Sequence, residues 1–229
     1  MTVFQQLEHA THVPWMIWSS LAAALLLLGG GLVVRGRLAA TGGGIVPDAG
    51  FSLRNVFEVL TEMLAGLAEQ NMGHKWRTYF PFVATLFFFI LISNLMGLVP
   101  GLGGATTHPN TTWAWALISF AVHQYVGVKE HGWGYLKHFA GPVWWLAPLY
   151  IIIEVISHLS RVFTLAVRLL ANMSADHIVV GVWIFLVPIG IPAVFMGLGV
   201  LVSFLQAYVF AMLSMIYIGL ALEESHDSH

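Results

Sequence analysis

The segment FTLAVRLLANMSADH, residues 163–177, carries groups that can handle protons within an otherwise apolar stretch. Arg168 is a permanent cation, because a guanidinium releases its proton only above about pH 12. Asp176 and His177 can bind and release protons, and the Asn172 amide can donate and accept hydrogen bonds. A charged side chain at the centre of a bilayer costs at least about 2.5 kcal/mol, so this segment predicts an ion path rather than ordinary packing.

Further polar residues lie on the same predicted helix. At about 100° per residue, Glu154, Arg161 and Arg168 fall within about 40° of one another, and His158 and Asn172 lie close to the same stripe. The groups near the start of the helix can also form structural ion pairs with one another. Arg168 differs, because no acidic residue lies within four positions on either side of it. Its partner is therefore expected from another part of the chain or from another protein.

The last apolar segment adds Gln206, in LVSFLQAYVF. If the chain turns back near Gly190, Gln206 lies within about two helical turns of the depth of Arg168. Its amide can face the ion path, or it can bridge two helices as many membrane amides do.

Composition places these residues in a membrane. The 229 residues are 58% hydrophobic and 9% charged, with a mean hydropathy of +0.81, whereas soluble domains carry about 25% charged residues. The net charge of -2 offers no basic surface for nucleic acid, and the absence of cysteine excludes disulfides and thiolate metal sites. The N-terminus MTVFQQLEHATHVPW has no Lys or Arg before its apolar run, which predicts a retained span rather than a cleaved signal.

Apolar runs of about 20 residues, enough to cross about 30 Å of hydrocarbon, divide the chain. We predict an all-α polytopic membrane protein that forms a single membrane domain over residues 1–229, with about five membrane helices and an interfacial helix. The predicted elements are a first span at 14–34, an interfacial helix at 51–72, spans at 80–99 and 112–128, and a helical hairpin at 148–222 with a break at 187–192. No proline follows Pro148 before residue 187, and a continuous helix there is about 58 Å long, so the hairpin is expected to be long and tilted.

Basic residues predict the orientation of these spans. All Lys and Arg except Arg161 and Arg168 fall on one side, and the loops at 100–111 and 187–192 carry none. The positive-inside rule therefore predicts an N-terminus outside the cytoplasm and a C-terminus within it. The sequence has no Gly-rich phosphate-binding loop, so we expect no ATP chemistry on this chain, and we predict no cofactor and no metal site.

Four motifs, RLLANMSADH, LQAYVFAMLSMIYIGLALEESH, SNLMGLVPG and THPNTTWAWAL, resemble subunit a of F-type ATP synthases. The resemblance extends from residue 76 to the end of the chain. It places Arg168 on the essential arginine of that family, Asn172 on the asparagine that follows it, and Gln206 on the glutamine of the last helix.

Other polar residues are assigned through the same resemblance. His177 falls where family members have Glu or His, and Asn94 and Glu154 match further polar positions. Asp176 and His177 are expected on the outer side of the ion path, and Glu154 and His158 nearer the cytoplasm.

The resemblance implies the stator subunit of an ATP synthase in the bacterial plasma (inner) membrane, part of a rotary motor that couples proton transport to ATP synthesis. The implied partners are a ring of c subunits, the b subunits of the peripheral stalk, the rest of the complex and membrane lipid. Two offset half-channels would bring protons to and from the ring carboxylates. Arg168 would ionise each arriving carboxylate and would prevent protons from leaking directly between the half-channels.

The sequence departs from the family pattern at several positions. Gly97 stands where members often have Asp, Ala171 and Asp176 where Gly is usual, and Gly199 where the last helix has an acidic residue or His. We expect the carboxylate gained at Asp176 to compensate for the proton carrier missing at Gly199.

Two alternatives use these residues differently. A stand-alone ion channel or secondary transporter would use Arg168 to bind an anion, although no internal repeat is visible. A haem membrane protein is the weaker alternative, because the 11 His include no evident axial pairs: His158 and His177 are widely separated, and His123 and His138 lie on either side of a loop.

Overall fold

The computed structural model of the chain describes residues 2–40, 52–99, 101–131, 147–186 and 190–223. The described residues are helical and include no β-strand. The α-helices are α1 (Val3–Thr11), α2 (Trp15–Ala40), α3 (Leu53–Met72), α4 (Trp76–Leu98), α5 (Pro109–His131), α6 (Ala147–Leu186) and α7 (Ile191–Glu223). The predicted all-α fold is thereby confirmed.

Hydropathy along these helices identifies membrane spans. Among the described residues, 4 helical stretches are long and apolar enough to cross a membrane: Trp15–Gly36, Leu53–Leu98, Phe163–Leu186 and Ile191–Leu222. The second stretch includes both α3 and α4. Helix α5 has 23 residues, but its Asn, Thr, His and Gln side chains keep it below the hydropathy of the others. The chain is a multi-pass membrane protein.

The last two helices are longer than a bilayer requires. Helix α6 has 40 residues and α7 has 33, which correspond to about 60 Å and about 50 Å. A hydrocarbon layer of about 30 Å is much thinner, so each helix must tilt, bend or protrude. Helix α7 begins directly after Gly190, whose φ of 93° favours glycine, while positions 187–189 of the predicted break lie outside the described residues. Near this end the rings of Trp183 and Phe195 stack at 5.6 Å.

Helix α7 occupies the centre of the bundle. Helices α3, α4, α5 and α6 all contact it, and its buried residues include Ala207, Phe210, Ala211 and Met215, each with 0% of its surface exposed. These side chains join one apolar core with buried residues of α4, such as Val83. Any group on the inner face of α7 is therefore enclosed by protein on several sides.

Helix α3 is amphipathic, as predicted for an interfacial helix. Leu64, Ala68 and Met72 are buried, while Glu62 and Glu69 are exposed. Its apolar face packs against α4 and α7, so protein contacts contribute to its burial. Its position relative to the membrane surface remains a prediction.

Helices α3 and α7 approach each other very closely at one point. A Cβ atom added to Gly219 would lie 2.0 Å from the backbone oxygen of Asn71, near the end of α3. Only glycine permits this backbone-to-backbone contact without separation of the helices.

An ion pair joins the start of α4 to the end of α5. Lys75 Nζ donates a hydrogen bond to Glu130, and the Tyr79 hydroxyl donates to the same carboxylate at 3.4 Å. The hydrogen bond from the Lys75 ammonium holds the pKa of Glu130 below its ordinary value. We call this end of the bundle, which carries Arg35, Lys75 and Lys129, the basic end. The opposite end, with residues 101–108 and Gly190, is the turn end.

We expect Lys75→Met to lower stability at neutral pH by about 0.5 kcal/mol, a size typical of exposed ion pairs. The pKa of Glu130 is lower in the folded state than in the unfolded state. The ion pair therefore contributes to the free energy of unfolding above the unfolded-state pKa, and this contribution is lost as the pH falls through the folded-state pKa. Melting curves of the purified protein should therefore show a wild-type advantage that shrinks toward acid pH. Arg35→Met, which removes an exposed cation from α2, is the control, and an advantage that stayed constant into acid would contradict the prediction.

Candidate ion path

Arg168 lies near the midpoint of α6, beside the buried face formed by Leu165, Leu169 and Met173. Its side chain is partly buried. Within the described ranges of the chain, the guanidinium forms no hydrogen bond and no ion pair. An arginine cannot escape burial by losing its proton, so this charge requires a partner that the described residues do not supply.

One turn beyond Arg168, an amide pair joins α6 to α7. Asn172 Nδ2 donates a hydrogen bond of 2.7 Å to Gln206 Oε1. Only 4% of the Gln206 surface is exposed, and Asn172 is partly buried. The two amides retain further donors and acceptors, so they can hydrogen-bond to a group or a water molecule that approaches Arg168.

A cavity of about 160 Å³ lies between α4 and α6 on the turn-end side of this amide pair. It is lined by Asn94, Gly97 and Leu98 of α4 and by Met173, Asp176, Val180, Gly181 and Ile184 of α6. Asp176 is partly buried, and its Oδ2 atom is shielded from solvent. The volume is sufficient for several water molecules, and the Asn94 and Asp176 side chains are polar partners for them.

Asn94 is held in place by two neighbours that sequence reasoning did not identify. Thr106 Oγ1 donates to Asn94 Oδ1 at 2.7 Å, and Asn94 Nδ2 donates to the Ser203 carbonyl at 3.4 Å. Thr106 reaches this position because residues 105–107 form a 3₁₀ turn that folds back onto α4. Ser203 contributes a backbone atom, which no side-chain pattern could have revealed.

Three of the four departures from the family pattern, at Gly97, Asp176 and Gly199, lie in or beside this cavity. Gly97 and Asp176 both line it. A Cβ atom on Gly199 would lie 2.3 Å from Leu98 Cδ2, so the tip of Leu98, another lining residue, fills the space that a side chain at position 199 would need. Gly97 and Gly199 have no side chain that could carry a proton at this cavity, whereas Asp176 contributes a carboxylate to it.

Three predicted site residues cannot be placed in the same detail. Glu154, His158 and His177 lie on α6, but their side chains are outside the described residues. Their assignment to the ion path remains a prediction.

One of the described histidines has a clear structural contact. His123 is buried, and its Nδ1 atom bonds to the Tyr217 backbone oxygen at 2.8 Å. No group of three or more His, Cys, Asp or Glu residues suited to a metal ion occurs in the part of the chain that the structure describes.

The arrangement brings together three features that suit an ion path. Arg168 is a fixed cation near the middle of α6, and the neutral amides of Asn172 and Gln206 lie beside it. The Asp176 carboxylate lies about 12 Å further along α6, in a cavity large enough for water. A carboxylate such as that of Asp176 can hold a proton, and water in a cavity of this size can carry a proton toward the amide pair.

Comparison with known proteins agrees with the family suggested by the motifs. Residues 16–219 match the family model described as ATP synthase A chain. Proteins named ATP synthase subunit a from Bdellovibrio bacteriovorus and Geobacter sulfurreducens are 44% and 48% identical, over 89% and 76% of this chain and 90% and 76% of their own. A protein named ATP synthase subunit a 1 from Syntrophotalea carbinolica is 46% identical over 96% of this chain and 88% of its own. The chain therefore belongs to the ATP synthase A chain family.

Proposed function

We propose that this chain is the stator subunit of the proton channel of a bacterial ATP synthase, where it stands beside a ring of c subunits and contacts the b subunits of the peripheral stalk. The observation that carries the proposal is Arg168, a mid-helix cation that no described residue of its own chain neutralises. Membership of the ATP synthase A chain family supports the same role. On this proposal the chain performs no ATP chemistry itself.

Arg168 supplies the charge that the mechanism needs. A carboxylate on a passing ring subunit is stabilised in its ionised form near a guanidinium, so it releases its proton there. The same positive charge opposes the passage of free protons between the two half-channels. One charge moving through about 100 mV is worth about 2.3 kcal/mol, so a direct leak would dissipate the energy that drives rotation.

We assign the outer half-channel to the cavity between α4 and α6. Asp176 carries the proton within it, Asn94 orders water beside that carboxylate, and His177 lies next in sequence. Asp176 replaces the acidic residue or His that family members carry at the position of Gly199. The inner half-channel then uses the opposite part of α6, which includes Glu154 and His158.

The basic end faces the cytoplasm in this proposal. Lys75 and Lys129 lie there with Arg35, as the positive-inside rule requires. The N-terminus is then outside, and the C-terminus, beyond α7, is cytoplasmic.

Copurification and reconstitution test the proposal as a whole. A tagged chain should be recovered from membranes together with a c ring and peripheral-stalk subunits. The purified chain alone, placed in liposomes, should not transport ions under an imposed pH gradient or voltage. Robust transport by the isolated chain would instead support the autonomous channel or transporter.

Gln206→Leu should reduce ATP-driven proton pumping by about threefold to tenfold, without abolishing it. The substitution removes the acceptor for Asn172, and hydrogen bonds between membrane helices are each worth about 0.6 to 1.7 kcal/mol. Acidification of inverted vesicles, measured by dye quenching, reports the loss. Leu205→Ala, at an exposed neighbouring position, is the control, and unchanged pumping by Gln206→Leu would contradict the assigned role.

A further inference from the structure

A second set of buried polar contacts lies between α5 and α7. The Oγ atoms of Ser119 and Ser214 are 2.7 Å apart, and Ser214 Oγ also donates to the Phe210 carbonyl at 3.0 Å. One turn further along α5, His123 Nδ1 lies 2.8 Å from the Tyr217 carbonyl oxygen. We call Ser119, His123, Ser214 and Tyr217 the α5–α7 seam.

The donors in this seam are satisfied by the protein itself. Ser214 donates to a carbonyl, so the Ser119 hydroxyl is the donor in the serine pair. A carbonyl can only accept, so His123 Nδ1 carries a hydrogen and donates it to Tyr217. Ser119, Ser214 and His123 are all more than nine-tenths buried.

These contacts join α5 directly to α7. Directed hydrogen bonds between two helices fix their relative position. A polar contact in an otherwise apolar interface is the best-attested way to specify register.

The position of Gln206 depends on that register. A slip of α7 by one residue would move Gln206 by about 1.5 Å along the axis and turn it by about 100°. Its bond of 2.7 Å to Asn172 would not survive such a movement. The buried face around it includes Ala207 and Ala211, whose small apolar side chains carry no polar group that would select one register.

We infer that the α5–α7 seam sets the register of α7 and so holds Gln206 opposite Asn172, with Ser119 and His123 as positioning residues. The effect on proton transport rests on the proposed function, whereas the register itself does not.

Cross-linking can measure the register without measuring transport, because the chain contains no cysteine. Cysteine pairs are placed at Asn172 with Gln206, which face each other, and at Asn172 with Leu205, which is 47% exposed on another face of α7. Both pairs are made in the complete complex in membranes and treated with a short thiol cross-linker. With the native seam, the Asn172–Gln206 cysteine pair should give a much higher yield of cross-linked product than the Asn172–Leu205 pair. We call the ratio of the two yields the cross-linking preference.

Ser119→Ala combined with His123→Leu should lower this preference by about threefold to tenfold. His123→Asn, which keeps an N–H group close to the place of Nδ1, should preserve it when introduced alone. Thr85→Ala is the matched control, because the Thr85 hydroxyl bonds only within α4, to Pro81, and is exposed. If the double variant fails to accumulate, Ser119→Ala alone must still lower the preference.

An unchanged preference in the seam variant would overturn the inference. A lowered preference with full proton pumping, measured in the same seam substitutions without the cysteines, would uphold the register and contradict the function proposed for Gln206. A lowered preference together with weakened pumping, each partly recovered when His123→Asn replaces His123→Leu, would support the register and the function proposed for Gln206.

Discussion

Arg168→Lys should abolish ATP-driven proton pumping while the complex still assembles. The substitution keeps a cationic residue, but an ammonium in a buried site can lose its proton, and it lacks the planar fork that pairs with a carboxylate. Losing a buried charge pair costs about 3 kcal/mol or more, so we expect pumping to fall by about a hundredfold or more. Dye quenching in inverted vesicles measures pumping, and immunoblots of the other subunits measure assembly.

The control for this experiment is Arg77→Lys. Arg77 is exposed near the start of α4, where its guanidinium lies 5.5 Å from the centre of the Trp76 ring. This substitution makes the same chemical change outside the ion path, so pumping should stay near the wild-type rate. Retained pumping by Arg168→Lys would remove the basis of the proposed function.

Asp176→Asn should have the second-largest effect, a loss of pumping of about tenfold or more. The amide keeps the size and polarity of the side chain in the cavity, but it cannot bind and release a proton, and a positioned proton-transfer group contributes about a hundredfold or more in enzymes. Asp176→Glu should retain much more activity than Asp176→Asn. The same vesicle assay applies to both variants.

Glu69→Gln is the matched control for Asp176→Asn, since it removes an exposed carboxylate from α3. It should leave pumping unchanged. Near wild-type pumping by Asp176→Asn would show that the outer half-channel does not use this carboxylate. That result would separate the route of the proton from the role of Arg168, which the preceding experiment tests independently.

Sequence patterns were most informative where one helix alone determines the outcome. The absence of proline after Pro148 predicts a long helix, and α6 is continuous from Ala147 to Leu186. The isolation of Arg168 was also visible in the sequence, because a nearby acid on the same helix would have to lie three or four positions away. The family itself followed from motifs around Arg168 and Gln206.

The parts that could not be predicted depend on contacts between helices. The bond between Asn172 and Gln206 requires the relative register of α6 and α7, which hydropathy does not contain. The hydrogen bond from Thr106 to Asn94 could be predicted only if the path of the loop between α4 and α5 were known. Leu98 fills the space beside Gly199, and this contact could be predicted only from side-chain positions on another helix. The same positions are needed to see that the unusual residues lie around one cavity.

At Gly219 the backbones of α3 and α7 touch without an intervening side chain. Two helices in such contact cannot roll past each other, because any side chain brought into the crossing would force them apart. A sideways force on α7 would therefore be transmitted to α3 and, through the turn at Gly73, to α4. Helices α3 and α4 would thus resist displacement of the α6–α7 hairpin.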